Sequence, residues 1–174
     1  RFLAHRVGGD WAFKEWFIAH AARIEPPFEV RSDEVWIHVA LAEQTLVVYR
    51  GKEPIFATVV STGVEAHATP PGVFRIDKKF VGRTMSDVSP DTPKGDQYRI
   101  EDVPYTQCYQ GSYAIHAAFW HDRLGIPRSH GCVNLSPHDA MTVFNLTEPE
   151  LPPAWFGIYD DPEAPSGSRV YLTE

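Results

Sequence analysis

Two side chains of this sequence, a cysteine and a histidine, are the ones best suited to do chemistry together. Cys132 follows Gly131 in the polar stretch 128–134, RSHGCVN, and His116 lies sixteen residues earlier, at the end of the apolar run 113–115. A thiol of ordinary pKa is only a few per cent ionised at neutral pH, so a nucleophilic Cys132 needs a base. His116 is the best-placed candidate, and the pair indicates nucleophilic cysteine catalysis.

The glycine before the cysteine predicts a sharp backbone bend. Gly131 allows conformations that a side chain would block, and successive N–H groups in such a bend can converge on one point. An oxyanion hole has this geometry. A structural cysteine lies more often inside an apolar strand than in a polar turn. A lone histidine or cysteine is usually structural, so the interpretation depends on their joint pattern.

Composition restricts the classes of partner and fold. The 174 residues carry a net charge of −7, and their basic residues are scattered, so nucleic acid is not an expected partner. No apolar run approaches the roughly 18 residues of a membrane span, so we expect no transmembrane segment. Cys108 and Cys132 are too few for a disulfide scaffold. We expect two free thiols with Cys108 in the core, although a single bridge between them stays possible.

Short runs of β-branched and aromatic residues predict a mainly β fold. They lie at 35–41, 45–49, 55–60, 73–76, 104–109, 113–118 and 170–172. Their close spacing favours antiparallel hairpins, because parallel connections need a dozen or more residues. The strand of Cys108 should pair with that of His116. Ser136 and Pro137 predict the start of one main helix after the cysteine. We therefore expect a β-sandwich or barrel.

A polar stretch and the N-terminus depart from this strand pattern. Residues 80–102 predict a long loop, which we interpret as a flap over the site that includes Arg83 and Tyr98. Near the N-terminus, Asp10 could cap a helix that runs to about residue 24. Residues 1–33 are interpreted as an N-terminal extension or the remnant of an upstream module, and 34–174 as the catalytic domain. The chain begins with Arg1 rather than methionine, which suits a missing leader or module.

The residues around the cysteine resemble the signature of L,D-transpeptidase catalytic domains of the YkuD type. That signature is a histidine, a variable gap, and Ser/Thr-His-Gly-Cys-hydrophobic-Asn/Arg; here it is His116 and the stretch 129–134, SHGCVN. Further stretches resemble the family at 44–49, 61–63, 69–74, 113–116, 120–122 and 134–140, so the resemblance covers roughly residues 35–173. The gap of twelve residues before Ser129 is a little short for the family. A short loop could narrow the cleft or alter the choice of acceptor.

The resemblance implies acyl transfer on peptidoglycan stem peptides. Cys132 attacks the carbonyl of the third stem residue, D-alanine leaves, and the amine of a second stem attacks the thioester, giving a 3→3 cross-link. His116 takes the thiol proton, and the carbonyl of Ala117 orients its ring. The N–H groups of Cys132, Gly131 and His130 hold the oxyanion. The resemblance implies no cofactor and no metal, a periplasmic or cell-envelope location, and a monomer.

Four more residues are predicted to bind the substrate or brace the site. Arg128 could receive a stem carboxylate as a bidentate partner, and Trp120 could line the donor groove. Ser129 and Asn134 are expected to brace the nucleophile loop through hydrogen bonds. Each has a plainer alternative, since arginines are usually solvated, aromatic residues usually pack, and Ser and Asn often only form turns.

Other interpretations remain possible at this stage. His116, His121, His130, Cys132 and His138 could supply zinc ligands, although they lack the tight spacing of finger-like sites. A non-catalytic wall-binding domain could keep the same fold. An L,D-carboxypeptidase or a lipoprotein–peptidoglycan hydrolase could use the same Cys–His pair. Outside the zinc interpretation, we take His121 and His138 as ordinary surface residues.

Overall fold

A computed structural model describes residues 24–88, 90–95 and 97–174 of the chain. The first half forms β1 (Val35–Ala40), β2 (Thr45–Arg50), β3 (Glu53–Val59) and β4 (Gly72–Arg75). The middle forms β5 (Lys78–Asp87), β6 (Tyr98–Gln110), β7 (Tyr113–Ala117) and β8 (Val133–Leu135). A helix, α1 (Pro137–Leu146), precedes β9 (Gly157–Tyr159) and β10 (Arg169–Thr173). The helix predicted near the N-terminus lies almost wholly outside the described residues.

The strands form two five-stranded sheets. The first has the order β3-β2-β1-β10-β4, and the second has the order β8-β7-β6-β5-β9. Most neighbouring strands are antiparallel, as their spacing predicts. Two pairs are parallel, β1 with β10 and β7 with β8, and each joins strands separated by a long connection. The second of these parallel pairs forms the candidate active site.

The core lies between the inner faces of the two sheets and includes one face of the helix. Ile37 and Leu46 of the first sheet belong to the same buried cluster as Ile115 and Leu135 of the second. The inner side of α1 adds Val143 to this cluster. Burial of each such side chain stabilises the fold by about 1.5–3 kcal/mol. The prediction of a mainly β sandwich with one main helix is confirmed.

The outer face of the first sheet is covered by residues just before β1. Trp36 stacks on Tyr49 with ring centroids 4.2 Å apart, and Phe28 meets Trp36 edge-on at 5.5 Å. Arg169 of β10 lies over the Phe28 ring and forms an ion pair with Glu34 at 2.6 Å. These contacts attach residues 24–34 to the sandwich. The predicted division of the chain at residue 33 stays a prediction.

The prediction of a loop over residues 80–102 is wrong. β5 and β6 form a hairpin that pairs from Lys78 opposite Cys108 to Asp87 opposite Tyr98, so only residues 88–97 connect the strands. The end of this ribbon is exposed or half-buried along both strands, and it needs no alternating apolar face. Its polar composition therefore resembled that of a loop. We call residues 80–102 the flap hairpin.

The helix begins as its sequence predicts. Ser136 caps it by accepting a hydrogen bond from the Asp139 amide at 3.2 Å, and Pro137 occupies the first turn. The buried ammonium group of Lys79 donates to the carbonyls of Phe144 and Thr147, each at 2.6 Å. A cation at this end complements the helix dipole. Desolvation nevertheless lowers the pKa of Lys79 to about 8.

Candidate active site

The parallel pairing of β7 with β8 brings the cysteine and the histidine together. His116 lies opposite Asn134 in this register, and Cys132 directly precedes β8. Adjacent strands lie about 4.8 Å apart, so a pair distant in sequence becomes adjacent in space. Both side chains line one cleft of about 520 Å³. Cys132 is half-buried and its sulfur is not sealed in the interior, whereas only 3% of His116 is exposed.

The walls of this cleft come from the flap hairpin and from the loop between β7 and β8. Met85, Tyr98 and Ile100 of the flap hairpin line it. The remaining lining residues surround the nucleophile: Val64, His116, Trp120, His121, Arg123, Ile126, Pro127, Arg128, Ser129, His130, Cys132 and Asn134. A larger cleft of about 780 Å³ lies beside Arg75 and Arg169, but its lining has neither cysteine nor histidine. The smaller cleft is therefore the candidate active site.

The nucleophile turn has the bend that the glycine predicts. Gly131 has φ +112°, and a Cβ at this position would overlap the Tyr113 ring. The Ser129 hydroxyl donates to the Cys132 carbonyl at 2.5 Å and accepts from the Gly131 amide at 3.0 Å. Because the Gly131 N–H already has this acceptor, its prediction as an oxyanion donor needs correction. The amides of Cys132 and His130 remain the candidates.

We expect Gly131→Ala to disrupt the turn. The added methyl group meets the Tyr113 ring in a conformation that alanine rarely adopts. Gly111→Ala is a matched control, because Gly111 also has positive φ (+54°) but an added Cβ there meets nothing within 4 Å. Intact-protein mass follows the rate at which an acyl donor modifies Cys132. Relative to the unchanged chain, this rate should fall at least tenfold more in Gly131→Ala than in Gly111→Ala. Equal rates in the two variants would contradict this account of the turn.

Hydrogen bonds from residues 61–69 hold the nucleophile loop, residues 128–134, in place. The backbones of Ser61 and Asn134 exchange hydrogen bonds at 3.0 and 2.9 Å. The Thr69 hydroxyl accepts from the Gly63 amide and donates to the Gly131 carbonyl, both at 2.8 Å. These bonds give a physical reason for the stretches 61–63 and 69–74 in the sequence resemblance. Their role was not derivable from the residues alone, since nothing local links them to residue 131.

The imidazole of His116 is held in one orientation. Its Nδ1 lies 3.0 Å from the Ala117 carbonyl oxygen. A carbonyl can only accept, so Nδ1 carries the proton and Nε2 of the neutral ring keeps a free lone pair. Burial lowers the pKa of His116 to about 4, so the ring is neutral at pH 7. Trp120 stacks on it with ring centroids 5.8 Å apart.

The thiol of Cys132 rests in its protonated form. Burial raises its pKa to about 11, and the sulfur lies 3.7 Å from the Ser112 carbonyl oxygen. A neutral thiol and a neutral imidazole therefore share the cleft at pH 7. Attack on a carbonyl then requires that a base remove the thiol proton as the sulfur–carbon bond forms. His116 lines the same cleft. Its Nδ1 is occupied by the Ala117 carbonyl, so its Nε2 lone pair is free and makes it the candidate base.

Acid should weaken the fold through His116. Its pKa is 6.5 when exposed and about 4 when folded, so between these values the unfolded chain binds more protons. The stabilisation is complete above pH 6.5 and is lost as pH falls towards 4, by roughly 3 kcal/mol. His116→Gln should reduce this loss, measured by urea unfolding at pH 7 and 4.5. His138→Gln, an exposed control, should not; equal acid sensitivity of both variants would contradict the argument.

The remaining predicted residues lie in or around the same cleft. His130 is exposed, and its ring lies 4.8 Å from that of His67 and 5.2 Å from that of Tyr98. Arg128 is anchored by its amide, which donates to the Thr62 carbonyl at 2.8 Å, while its exposed side chain lines the cleft. The structure thus brings the predicted site residues together. Their roles in binding or catalysis stay predictions.

The interpretation of His121 as an ordinary surface residue is wrong. Its Nε2 lies 3.0 Å from Nδ2 of Asn134, and it lines the cleft with Cys132. Desolvation lowers its pKa, and the neighbouring Arg128 guanidinium lowers it further. The resemblance of residues 120–122 to the family is a signal for this position, but no side-chain pattern links them to Asn134. His138 is exposed at the start of α1, as predicted.

The structure also bears on two further sequence predictions, the position of Cys108 and the zinc interpretation. Cys108 is buried, both cysteines are free, and β6 pairs Cys108 with Ala114 of β7. The predictions of a core thiol and of paired strands are confirmed. Arg83 Nη1 lies 3.1 Å from the Cys108 sulfur, and neither residue belongs to the cleft lining. Within the described part of the chain, no group of three or more His, Cys, Asp or Glu residues is arranged to hold a metal ion.

Comparison with known families decides the class of this domain. The model of the YkuD family, described as the L,D-transpeptidase catalytic domain, matches residues 34–171. The chain belongs to this family. Among curated protein sequences, none matches the chain. Across the described ranges, no helix is both long and apolar enough to cross a membrane.

Solved structures share the YkuD-family fold at low sequence identity. The L,D-transpeptidase LdtMt1 in complex with imipenem aligns with TM-score 0.65 and 23% identity over 81% of this chain and 59% of that chain. An L,D-transpeptidase from Mycobacterium smegmatis aligns with TM-score 0.65 and 20% identity over the same shares. The catalytic domain of the Enterococcus faecium enzyme gives 0.60 and 21%, over 81% and 98%. The chain thus spans about three-fifths of the two longer proteins.

Proposed function

We propose that this domain is a peptidoglycan L,D-transpeptidase in which Cys132 is the nucleophile and His116 the general base. The observation that carries the proposal is the pairing of β7 with β8, which places a half-buried thiol and a neutral, oriented imidazole in one cleft. Membership of the YkuD family supports the same chemistry. The substrate is a tetrapeptide stem, and the acceptor is the side-chain amine of a second stem.

The reaction takes place in two steps. As His116 Nε2 removes the thiol proton, Cys132 Sγ bonds to the carbonyl carbon of the third stem residue. The amides of Cys132 and His130 donate to the oxyanion, each worth roughly 3–4 kcal/mol in the transition state. D-Alanine leaves as an amine that takes its proton from His116. The acceptor amine then loses a proton to His116 and attacks the thioester carbonyl carbon. The carbon–sulfur bond breaks as the new amide cross-link forms, and the departing Cys132 sulfur takes the proton back from His116.

The apolar lining of the cleft favours an amine acceptor over water. Val64, Met85, Ile100 and Trp120 line it beside the nucleophile. Such side chains reduce the water that reaches a thioester, and thereby protect it until an amine arrives. We further infer that the domain works in the periplasm or cell envelope, where its substrate lies, and that it acts as a monomer.

Incubation with purified disaccharide-tetrapeptide tests the proposal, with products analysed by mass. We expect release of D-alanine and formation of a cross-linked dimer. Tripeptide without dimer would instead indicate an L,D-carboxypeptidase, and binding without any D-alanine release would indicate a wall-binding domain. Absence of both binding and release would overturn the assignment to stem peptides. A lipoprotein-linked stem, tested in parallel, identifies a hydrolase that detaches lipoprotein from the wall.

A further inference from the structure

The cleft around Cys132 is cationic, although the chain as a whole is acidic. The net charge of the chain is −7, yet the described residues that line the cleft include Arg123 and Arg128 and no aspartate or glutamate. His121 and His130 add two imidazoles to the same lining. A cleft lined by one sign of charge attracts ligands of the opposite sign. The charge of its lining is therefore opposite in sign to the net charge of the chain.

The two guanidinium groups of the cleft have no carboxylate partner among the described residues. Neither Arg123 nor Arg128 forms an ion pair there, whereas Arg99 of the flap hairpin pairs with Glu101 at 3.1 Å. Two acidic residues, Asp122 and Asp87, lie near the cleft without belonging to its lining. Asp122 adjoins His121 without lining the cleft, and Asp87 accepts a hydrogen bond from Thr92 at 2.7 Å.

A guanidinium group recognises a carboxylate through two parallel hydrogen bonds that a carboxamide cannot match. A carboxylate accepts both bonds and carries the compensating charge, while a neutral carboxamide offers one oxygen and an N–H₂ donor that faces the guanidinium N–H groups. Arg123 and Arg128 lie on the loop between β7 and β8, on either side of the short segment 124–127. Both side chains line the cleft, so each is available to a carboxylate of a peptide bound there.

We propose that this cleft selects stem peptides with free side-chain carboxylates over stems in which these groups are carboxamides. The inference rests on the proposed function and specifies its substrate. Arg123 and Arg128 are the specificity determinants. Removal of either guanidinium weakens binding of the acid form by about three- to tenfold, because exposed ion pairs are individually modest. It leaves binding of the amide form nearly unchanged.

Calorimetric titration of the full chain carrying Cys132→Ser tests this selection without turnover. Two synthetic tetrapeptide stems are compared that share a free C-terminal D-alanine and differ only in acid or amide groups on residues two and three. We expect at least tenfold tighter binding of the acid form, and a gap that narrows as salt is added. Arg123→Gln and Arg128→Gln should narrow the gap, and Arg99→Gln, an exposed arginine outside the cleft lining, should not.

The outcomes separate this inference from the proposed function. Equal affinity for both peptides would overturn the selection. So would an affinity gap between the peptides that narrows as much in Arg99→Gln as in Arg123→Gln and Arg128→Gln. The peptide comparison on a single protein stays informative even where an arginine variant fails to fold. D-Alanine release by the wild-type chain is measured separately. A binding preference without D-alanine release would remove the transpeptidase assignment and keep the selection. D-Alanine release from both peptides at equal efficiency, with equal affinity for both, would keep the transpeptidase assignment and remove the selection.

Discussion

Cys132→Ser is expected to abolish both the covalent adduct with a carbapenem and the release of D-alanine from a stem peptide. In the proposed mechanism Cys132 supplies the sulfur of the thioester, and the other cysteine, Cys108, is buried in the core and outside the cleft lining. A neutral serine hydroxyl is a far weaker nucleophile than a thiol at the same position. Turnover should fall by more than about 10³-fold, because the reaction loses its covalent route.

Cys108→Ala is the matched control for this loss. Cys108 packs as a small hydrophobic residue, so the change costs little volume and leaves the cleft intact. The control protein should gain the mass of one drug molecule, and Cys132→Ser should gain none. An adduct of equal yield on the Cys132→Ser protein would show that another residue is the nucleophile.

His116→Gln is expected to slow acylation by about 10²–10⁴-fold at pH 7, the range of a positioned general base. The reason lies in the thiol, whose pKa is raised to about 11 by burial and which is therefore almost entirely protonated. Glutamine keeps a polar group of similar size but cannot take a proton at this pH. Because the thiol can still ionise without help, the variant should recover as pH rises towards 11, while the wild type stays nearly flat above pH 5.

Single-turnover acylation followed by intact-protein mass measures this difference. His138→Gln is the control, since His138 is exposed at the start of α1 and outside the cleft. It should acylate at the wild-type rate. A rate in His116→Gln that equals the wild type, or one that does not rise with pH, would contradict the role of His116 as base. Retained peptide binding in the variant would show that its loss is not a loss of fold.

Much of the fold was predictable because local patterns determine it. The strands of the sandwich core, such as β1 and β2, carry several β-branched residues, and the helix start at Ser136 has its own capping signal. The bend at Gly131 was also predictable, because only glycine tolerates such a φ easily. The three-residue strand β8 was not, since it is too short to show a period. It nevertheless fixes the register that places Cys132 beside His116.

Other features depend on tertiary contacts that no local pattern records. The flap hairpin was taken for a loop because its exposed strands need no apolar face. His121 joined the site only through Asn134, which is thirteen residues away. The protonated resting state of Cys132 follows from burial, since an exposed thiol would have an ordinary pKa. Gln44, in the turn before β2, accepts from the Thr62 amide, and Thr69 donates to the Gly131 carbonyl, although both are far from Cys132 in sequence.

Trapping of the acyl-enzyme from a natural-type substrate decides whether Cys132 carries the acyl group during the reaction. The wild-type chain is mixed with disaccharide-tetrapeptide, quenched in acid within seconds, and analysed first intact and then as peptides. We expect a mass gain equal to the acyl part of the disaccharide-tripeptide, located on Cys132 and lost when an amine is added before the quench. Release of D-alanine without any adduct on Cys132, or an adduct on a different residue, would contradict it.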